Sequence, residues 1–201
     1  RAADIDCYGR AASAHKEIAF AKDHESVVDT LLDLQASGDL PERITHNDTK
    51  LNNVMIDDDT GEGICVIDLD TVMPGLALYD FGDMVRTATN TGAEDERDLS
   101  KISMDIDMFE ALTLGYLSTA GSMLVPKEIE YLPFSGKLIA LEIGLRFLTD
   151  YLQGDVYFKT HREGHNLDRC RTQFKLMQSI EEQEKVMQQI VATATDALIN
   201  N

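Results

Sequence analysis

The chain has 201 residues, 43% of them hydrophobic, with 18 Lys and Arg against 36 Asp and Glu, for a formal net charge of −18. That is apolar matter enough for the core of one domain, and the charge excludes nucleic acid and anionic membranes as partners. No apolar run reaches the roughly 20 residues of a membrane span, and no signal-peptide pattern opens the chain. The three cysteines, Cys7, Cys65 and Cys170, are odd in number and far apart. They predict neither a disulfide framework nor a zinc site, and fit a reducing cytoplasm.

Arg1 stands first rather than Met, and the chain opens within helix-prone sequence. We therefore expect a fragment whose N-terminal part lies elsewhere. Ala11 to Phe20 is alanine-rich and predicts a helix with Ala19 and Phe20 in the core. A second helix is expected from Glu25 to Ala36, with Val27, Val28, Leu31, Leu32 and Leu34 as its apolar stripe and Gly38 ending it. Arg43 to His46 should be extended. Val54-Met55-Ile56 and Ile64-Cys65-Val66-Ile67 are β-type runs around turn chemistry at Asp57 to Gly63, a two-stranded hairpin with a buried second strand. Met73-Pro74-Gly75 predicts a loop.

Leu78 to Thr89, Met104 to Ala120 and Pro126 to Leu132 predict helices, the last with proline at its start. Phe134 to Gln153 is apolar on all sides and should be the buried centre. Leu167 to about Leu198 closes the chain with a helix whose apolar positions keep 3–4 spacing. The expected fold class is mainly α with one small β-hairpin (α+β), in a single domain spanning residues 1–201.

The chemistry concentrates between Ile44 and Phe81. His46, Asp48 and Asn53 are spaced H-x-D-x-x-x-x-N, and Asp68-Leu69-Asp70 comes after the predicted hairpin. Metal-assisted phosphoryl transfer needs this set. One aspartate takes or orients the proton of an attacking hydroxyl, while an asparagine and a second aspartate hold the Mg²⁺ that neutralises the triphosphate. Protein kinases use the related order H-R-D-x-x-x-x-N and then D-F-G. Asp48 is the candidate base, and Asn53 and Asp68 are the candidate metal ligands. At the end of a buried strand a lone carboxylate would be costly, which makes a metal the natural partner of Asp68. Asp70 is placed for metal or substrate, and Lys50 for a phosphate. His46 and Asp80 read as structural, His46 propping the loop and Asp80 capping the next helix. Asp68-Leu69-Asp70 also matches the D-x-D of metal-dependent glycosyltransferases, but nothing else in the chain supports a nucleotide-sugar fold.

The stretches THNDTKLNNVMID, VIDLDTVMPGLALYDFGDMVR and RFLTDYLQGDVYFKTHREGHN resemble the C-terminal lobe of the aminoglycoside phosphotransferase and choline kinase-like superfamily. Within it they look closest to N-acetylhexosamine 1-kinases. The resemblance implies an ATP- and Mg²⁺-dependent phosphotransferase acting on the anomeric hydroxyl of a sugar, with Arg146 and Tyr157 as sugar contacts. Kinases for choline, homoserine or aminoglycosides are the alternatives inside the class, and a non-catalytic ligand- or partner-binding lobe is the alternative outside it. Thr87 stands after Arg86 where the resemblance implies an aromatic residue. No glycine-rich loop and no strand lysine for the ATP phosphates is found, so the N-terminal lobe is expected to be missing, the chain alone to be inactive, and an uncovered inter-lobe face to favour self-association. No cysteine begins the C-x-P-x-R motif that a sulfatase needs.

Overall fold

The computed structural model describes residues 1–199. Helices α1 (Ala2–Ile5), α2 (His15–Asp23) and α3 (Thr30–Ser37) lead to strand β1 (Arg43–Thr45). The strands β2 (Val54–Ile56), β3 (Gly63–Val66) and β4 (Met73–Gly75) come next. Helices α4 (Ala77–Ala88), α5 (Ile106–Ala120), α6 (Pro126–Glu130), α7 (Leu132–Leu152) and α8 (His165–Ile199) complete the body. The class is mainly α with small antiparallel β elements, as the sequence predicts.

The centre is α7, which packs most extensively against α8 and α4. Its apolar residues serve two clusters. Leu132 and Leu138 join Phe81, Val85, Leu176 and Ile180 on one side. Leu141, Phe147, Leu148 and Leu152 join Leu167, Phe174 and Met177 on the other. The helix crossing of α4 over α7 depends on Gly82, where a Cβ would lie 2.5 Å from the Ser135 carbonyl oxygen. No larger residue fits there without moving backbone.

Several expectations are corrected. The first predicted helix begins only at His15, because the Asp6 carboxylate accepts hydrogen bonds from the amides of Arg10 (2.7 Å) and Ala11 (3.0 Å) and offers the backbone a turn instead. Ala14 is buried there and Ala19 is exposed. The second is interrupted by a 3₁₀ turn at Glu25–Val27, which rotates the next turns so that Leu31 is buried while Val28 and Leu32 are exposed. Gly38 ends α3 at φ 86°, as expected.

The β structure is richer than one hairpin. Met73–Gly75 is a strand, not a loop, and pairs antiparallel with β1, with Thr45 opposite Met73 and Pro74 opposite Ile44. A proline is tolerated because a two-stranded ribbon has only edges. The β2–β3 hairpin forms as expected, but β3 is exposed throughout. Met55, Ile64 and Val66 are each more than half exposed. Asp68 therefore does not end a buried strand, and the cost of burying its charge does not arise.

Candidate active site

The loop after β1 is shaped by two residues in the left-handed region, Asn47 and Asp68, both at φ 63°. Asn and Asp are the non-glycine residues that enter it most readily. They bracket the site. Asn47 turns the chain just before Asp48, and Asp68 turns it just after the hairpin.

Asp80 holds this loop. It lies one turn inside α4, whose N-cap is Leu76 without a side-chain cap, so the expected capping role is not what it does. Its carboxylate accepts from the amides of His46 (2.8 Å) and Asn47 (2.7 Å). The Thr49 hydroxyl donates to the Asp80 carbonyl at 2.7 Å. The other flank is tied by Thr71, which donates to the His46 carbonyl at 2.6 Å and accepts from the Asn47 amide group at 3.1 Å through its own carbonyl. Sequence reasoning missed these ties. No sequence signal marks them, since Asp80 stands close enough to the expected helix start at Leu78 to read as its cap.

His46 spans the site. Its Nε2 lies 3.0 Å from the Ile67 carbonyl. A carbonyl only accepts, so Nε2 carries the proton and joins the loop to the residue before Asp68. The Ile67 amide in turn donates to the Asn53 carbonyl at 2.9 Å. Asn53, 5% exposed, donates through Nδ2 to the Asp48 carbonyl (2.8 Å) and to Asp48 Oδ2 (2.9 Å). Lys50 Nζ sits 2.7 Å from the same Oδ2. Burial pushes the Asp48 carboxyl up, but the hydrogen bonds from Lys50 and Asn53 and the charges of Lys50 and His46 outweigh it. The net result is below the usual 3.8.

His46, Asp48, Lys50 and Asn53 are thus one hydrogen-bonded group, with Asp68 one residue from Ile67, the partner of both His46 and Asn53. Asp70 lies on an exposed 3₁₀ turn, Leu69–Thr71. Among the described residues no cluster of three His, Cys, Asp or Glu is placed for a metal. The donors that remain suit magnesium. Both side-chain bonds from Asn53 go to Asp48, and among the described residues nothing donates to the Asn53 Oδ1. The Asp68 carboxylate is exposed and has no hydrogen bond or ion pair there. Magnesium takes one or two protein oxygens and completes its shell with water and phosphate.

Arg146 and Tyr157 meet each other elsewhere. They line a cleft of about 460 Å³ with Glu142, Thr149, Gln153 and Phe158. Arg146 Nη2 is 3.5 Å from the Tyr157 hydroxyl, and its guanidinium lies 5.8 Å and 5.6 Å from the ring centres of Tyr157 and Phe158. Among the described residues no hydrogen bond joins this pair to Asp48.

A helical body edged by two short antiparallel ribbons, with an aspartate loop beside a hairpin, is consistent with a kinase-like phosphotransferase. Residues 4–102 match the model of the phosphotransferase enzyme family. The match supports the aminoglycoside phosphotransferase and choline kinase-like superfamily, and with it a kinase-type enzyme. It contains His46, Asp48, Asn53, Asp68 and Asp80, whereas Arg146 and Tyr157 lie beyond it. No helix among the described residues is long and apolar enough to cross a membrane.

Proposed function

We propose that this chain is the C-terminal catalytic lobe of an ATP-dependent sugar kinase acting on the anomeric hydroxyl of an N-acetylhexosamine. The observation that carries the reading is the placement of Asp48, whose carboxylate is fixed by Asn53 while Asn53 is itself tied to the segment that leads from the hairpin to Asp68. Asp48 is the group that receives the acceptor hydroxyl. Held below the usual carboxylate range, it is ionised at neutral pH and a weak base. That suits a loose transition state, in which the attacking hydroxyl gives up its proton late. Asn53 and Asp68 would hold Mg²⁺, which supplies charge neutralisation on the triphosphate. Lys50, exposed enough to leave Asp48, is the candidate for a phosphate oxygen, and Asp70 for substrate.

The acceptor reading rests on Arg146. Arg10, Arg43, Arg86, Arg97, Arg162, Arg169 and Arg171 each pair with a carboxylate. Among the described residues Arg146 has no such partner, in a chain with twice as many acids as bases. A guanidinium fork with a tyrosine hydroxyl and two ring faces suits a neutral, amide-bearing sugar. Glu142 in the same cleft, also without an ion pair among the described residues, favours the second reading, a kinase for a cationic alcohol such as choline, homoserine or an aminoglycoside.

Steady-state kinetics on the intact enzyme separate these. N-acetylhexosamines should be preferred over the cationic alcohols. Asp48→Asn should cut turnover by orders of magnitude while leaving nucleotide affinity nearly unchanged, since a base acts mainly in the transition state. Asp68→Ala should weaken Mg-nucleotide binding instead. An active Asp48→Asn enzyme would end the kinase reading, and preference for a cationic acceptor would establish the second.

A further inference from the structure

Asp150, on the last turns of α7, is 3% exposed and has no counter-ion among the described residues. Four donors surround its carboxylate. The Val156 and Tyr157 amides give to Oδ1 at 2.9 and 2.8 Å, and the Phe158 amide and Asn166 Nδ2 give to Oδ2 at 2.9 and 2.8 Å. A buried carboxylate is costly unless its lone pairs are satisfied, and here three consecutive backbone amides satisfy it. Such a set fixes a loop in one conformation, because each amide would otherwise need another acceptor or water.

The loop needs that help. It leaves α7 through Gly154 and Asp155 at φ 95° and 60°, and it contains no strand or helix of its own. Its tip presents Tyr157, 72% exposed, and Phe158, which packs against Phe147 with ring centres 4.7 Å apart. A second tie comes from Asp155. It pairs with Arg10 at 2.6 Å and accepts from the same Asn166 at 2.8 Å.

We infer that Asp150 is the positioning residue of the acceptor cleft: by gathering the amides of residues 156–158 it holds Tyr157 and Phe158 against Arg146. The inference rests on the acceptor site proposed above and deepens it. Asp150 lies in the wall of the same cleft, but with both oxygens engaged by the loop amides and Asn166 it acts through the loop. A carboxylate is required rather than its amide, because an asparagine has one accepting oxygen and would turn its NH2 toward the Phe158 amide and Asn166, donor against donor.

The test is an NMR titration of the 201-residue chain with N-acetylgalactosamine, together with hydrogen exchange at the amides of residues 156–158. Asp150→Asn should raise the dissociation constant about tenfold, the loss of roughly one good hydrogen bond. It should speed exchange at those three amides and leave the resonances of Asp48 and Asn53 in place. In the intact enzyme it should raise KM for the sugar and leave KM for Mg-ATP unchanged, which a general loss of stability would not do. Arg146→Ala and Tyr157→Phe serve as separate controls. If they weaken binding and Asp150→Asn does not, the positioning role is overturned and the acceptor site stands. If neither they nor Asp150→Asn weakens binding, or if the unaltered chain does not bind the sugar, the acceptor site is overturned and the positioning role with it. Should Asp150→Asn fail to fold, Asn166→Ala leaves the three backbone amides on Asp150 and removes one donor to its carboxylate, together with the Asn166 bonds to Asp155 and Arg169. It should weaken sugar binding about two- to threefold, a fraction of one hydrogen bond, and unchanged affinity would count against the inference.

Discussion

Lys50 and Asn53 both donate to the same oxygen of Asp48, at 2.7 and 2.9 Å. The two bonds differ in kind. Asn53 also holds the Asp48 backbone, so its bond orients the carboxylate. Lys50 adds charge and can leave. Replacing Lys50 by Met should therefore move the Asp48 titration upward, since a hydrogen bond and a charge that favour the ionised form are lost while burial remains. Asp48 has a depressed folded value, so its contribution to stability is present above the unfolded value and is lost as pH falls through the folded one. Carboxyl carbon NMR of the Asp48 resonance should show a midpoint below 3.8 in the parent chain and a higher one in Lys50→Met. An unchanged midpoint would show that Lys50 does not bear on the Asp48 charge.

Asp80→Ala should destabilise the loop more than loss of an exposed carboxylate would. Two amides, of His46 and Asn47, lose an ionised acceptor, and bonds to charged groups contribute about 1.5–3 kcal/mol each. With water taking over part of that role, we expect a loss of about 2 kcal/mol in urea unfolding. In the intact enzyme turnover should fall at least about tenfold through misplacement of Asp48. Wild-type turnover in this variant would show that the loop keeps its shape without the clamp.

Gly82→Ala probes the body rather than the site. The added methyl would meet backbone atoms of Ser135 at 2.5 and 2.8 Å, as well as the Ile139 side chain. Backbone cannot rotate away as a side chain can, so α4 must separate from α7. Overpacking of this kind costs about 1–3 kcal/mol. Calorimetry should register a lower Tm, whereas Gly115→Ala, where nothing lies within 4 Å of the new methyl, should not lower it.

Phosphoryl transfer by the 201-residue chain on its own should be slow. Catalysis in this class is mostly positioning and charge stabilisation. Among the described residues no strand carries a lysine, and Lys50 is engaged by Asp48. Single-turnover phosphorylation of N-acetylgalactosamine with Mg-ATP is the measurement. Rates of roughly 1–100 per second, normal for a kinase, would show that the phosphates are held by other groups of this chain.

Periodicity is enough to find α4, α5, α7 and α8, because each buries an apolar stripe long enough to repeat. It fails where a local side-chain bond competes with the pattern, as Asp6 does ahead of α2. It also fails where pairing depends on a distant partner, as β4 depends on β1. In the site, the spacing of Asp48, Asn53 and Asp68 is legible because motif chemistry is carried by residue type. The work of Asp80 and Asp150 is not. Both act on backbone amides, and an amide leaves no trace in the identity of the residue that carries it.

The clamp from Asp80 has a consequence for how this protein should fail. The loop bearing Asp48 is attached to α4, and α4 sits on α7 with no free space at Gly82. The geometry of the Asp48 loop is therefore referenced to the middle of the core through Asp80, while Ile67 ties the loop to the backbone at the hairpin's end. Loss of packing at Val85 or Leu138, both far along the chain from Asp48, should erode turnover while the protein is still folded, whereas trimming of side chains on the hairpin's exposed face should leave that geometry intact. Inactivation on mild heating should run ahead of unfolding.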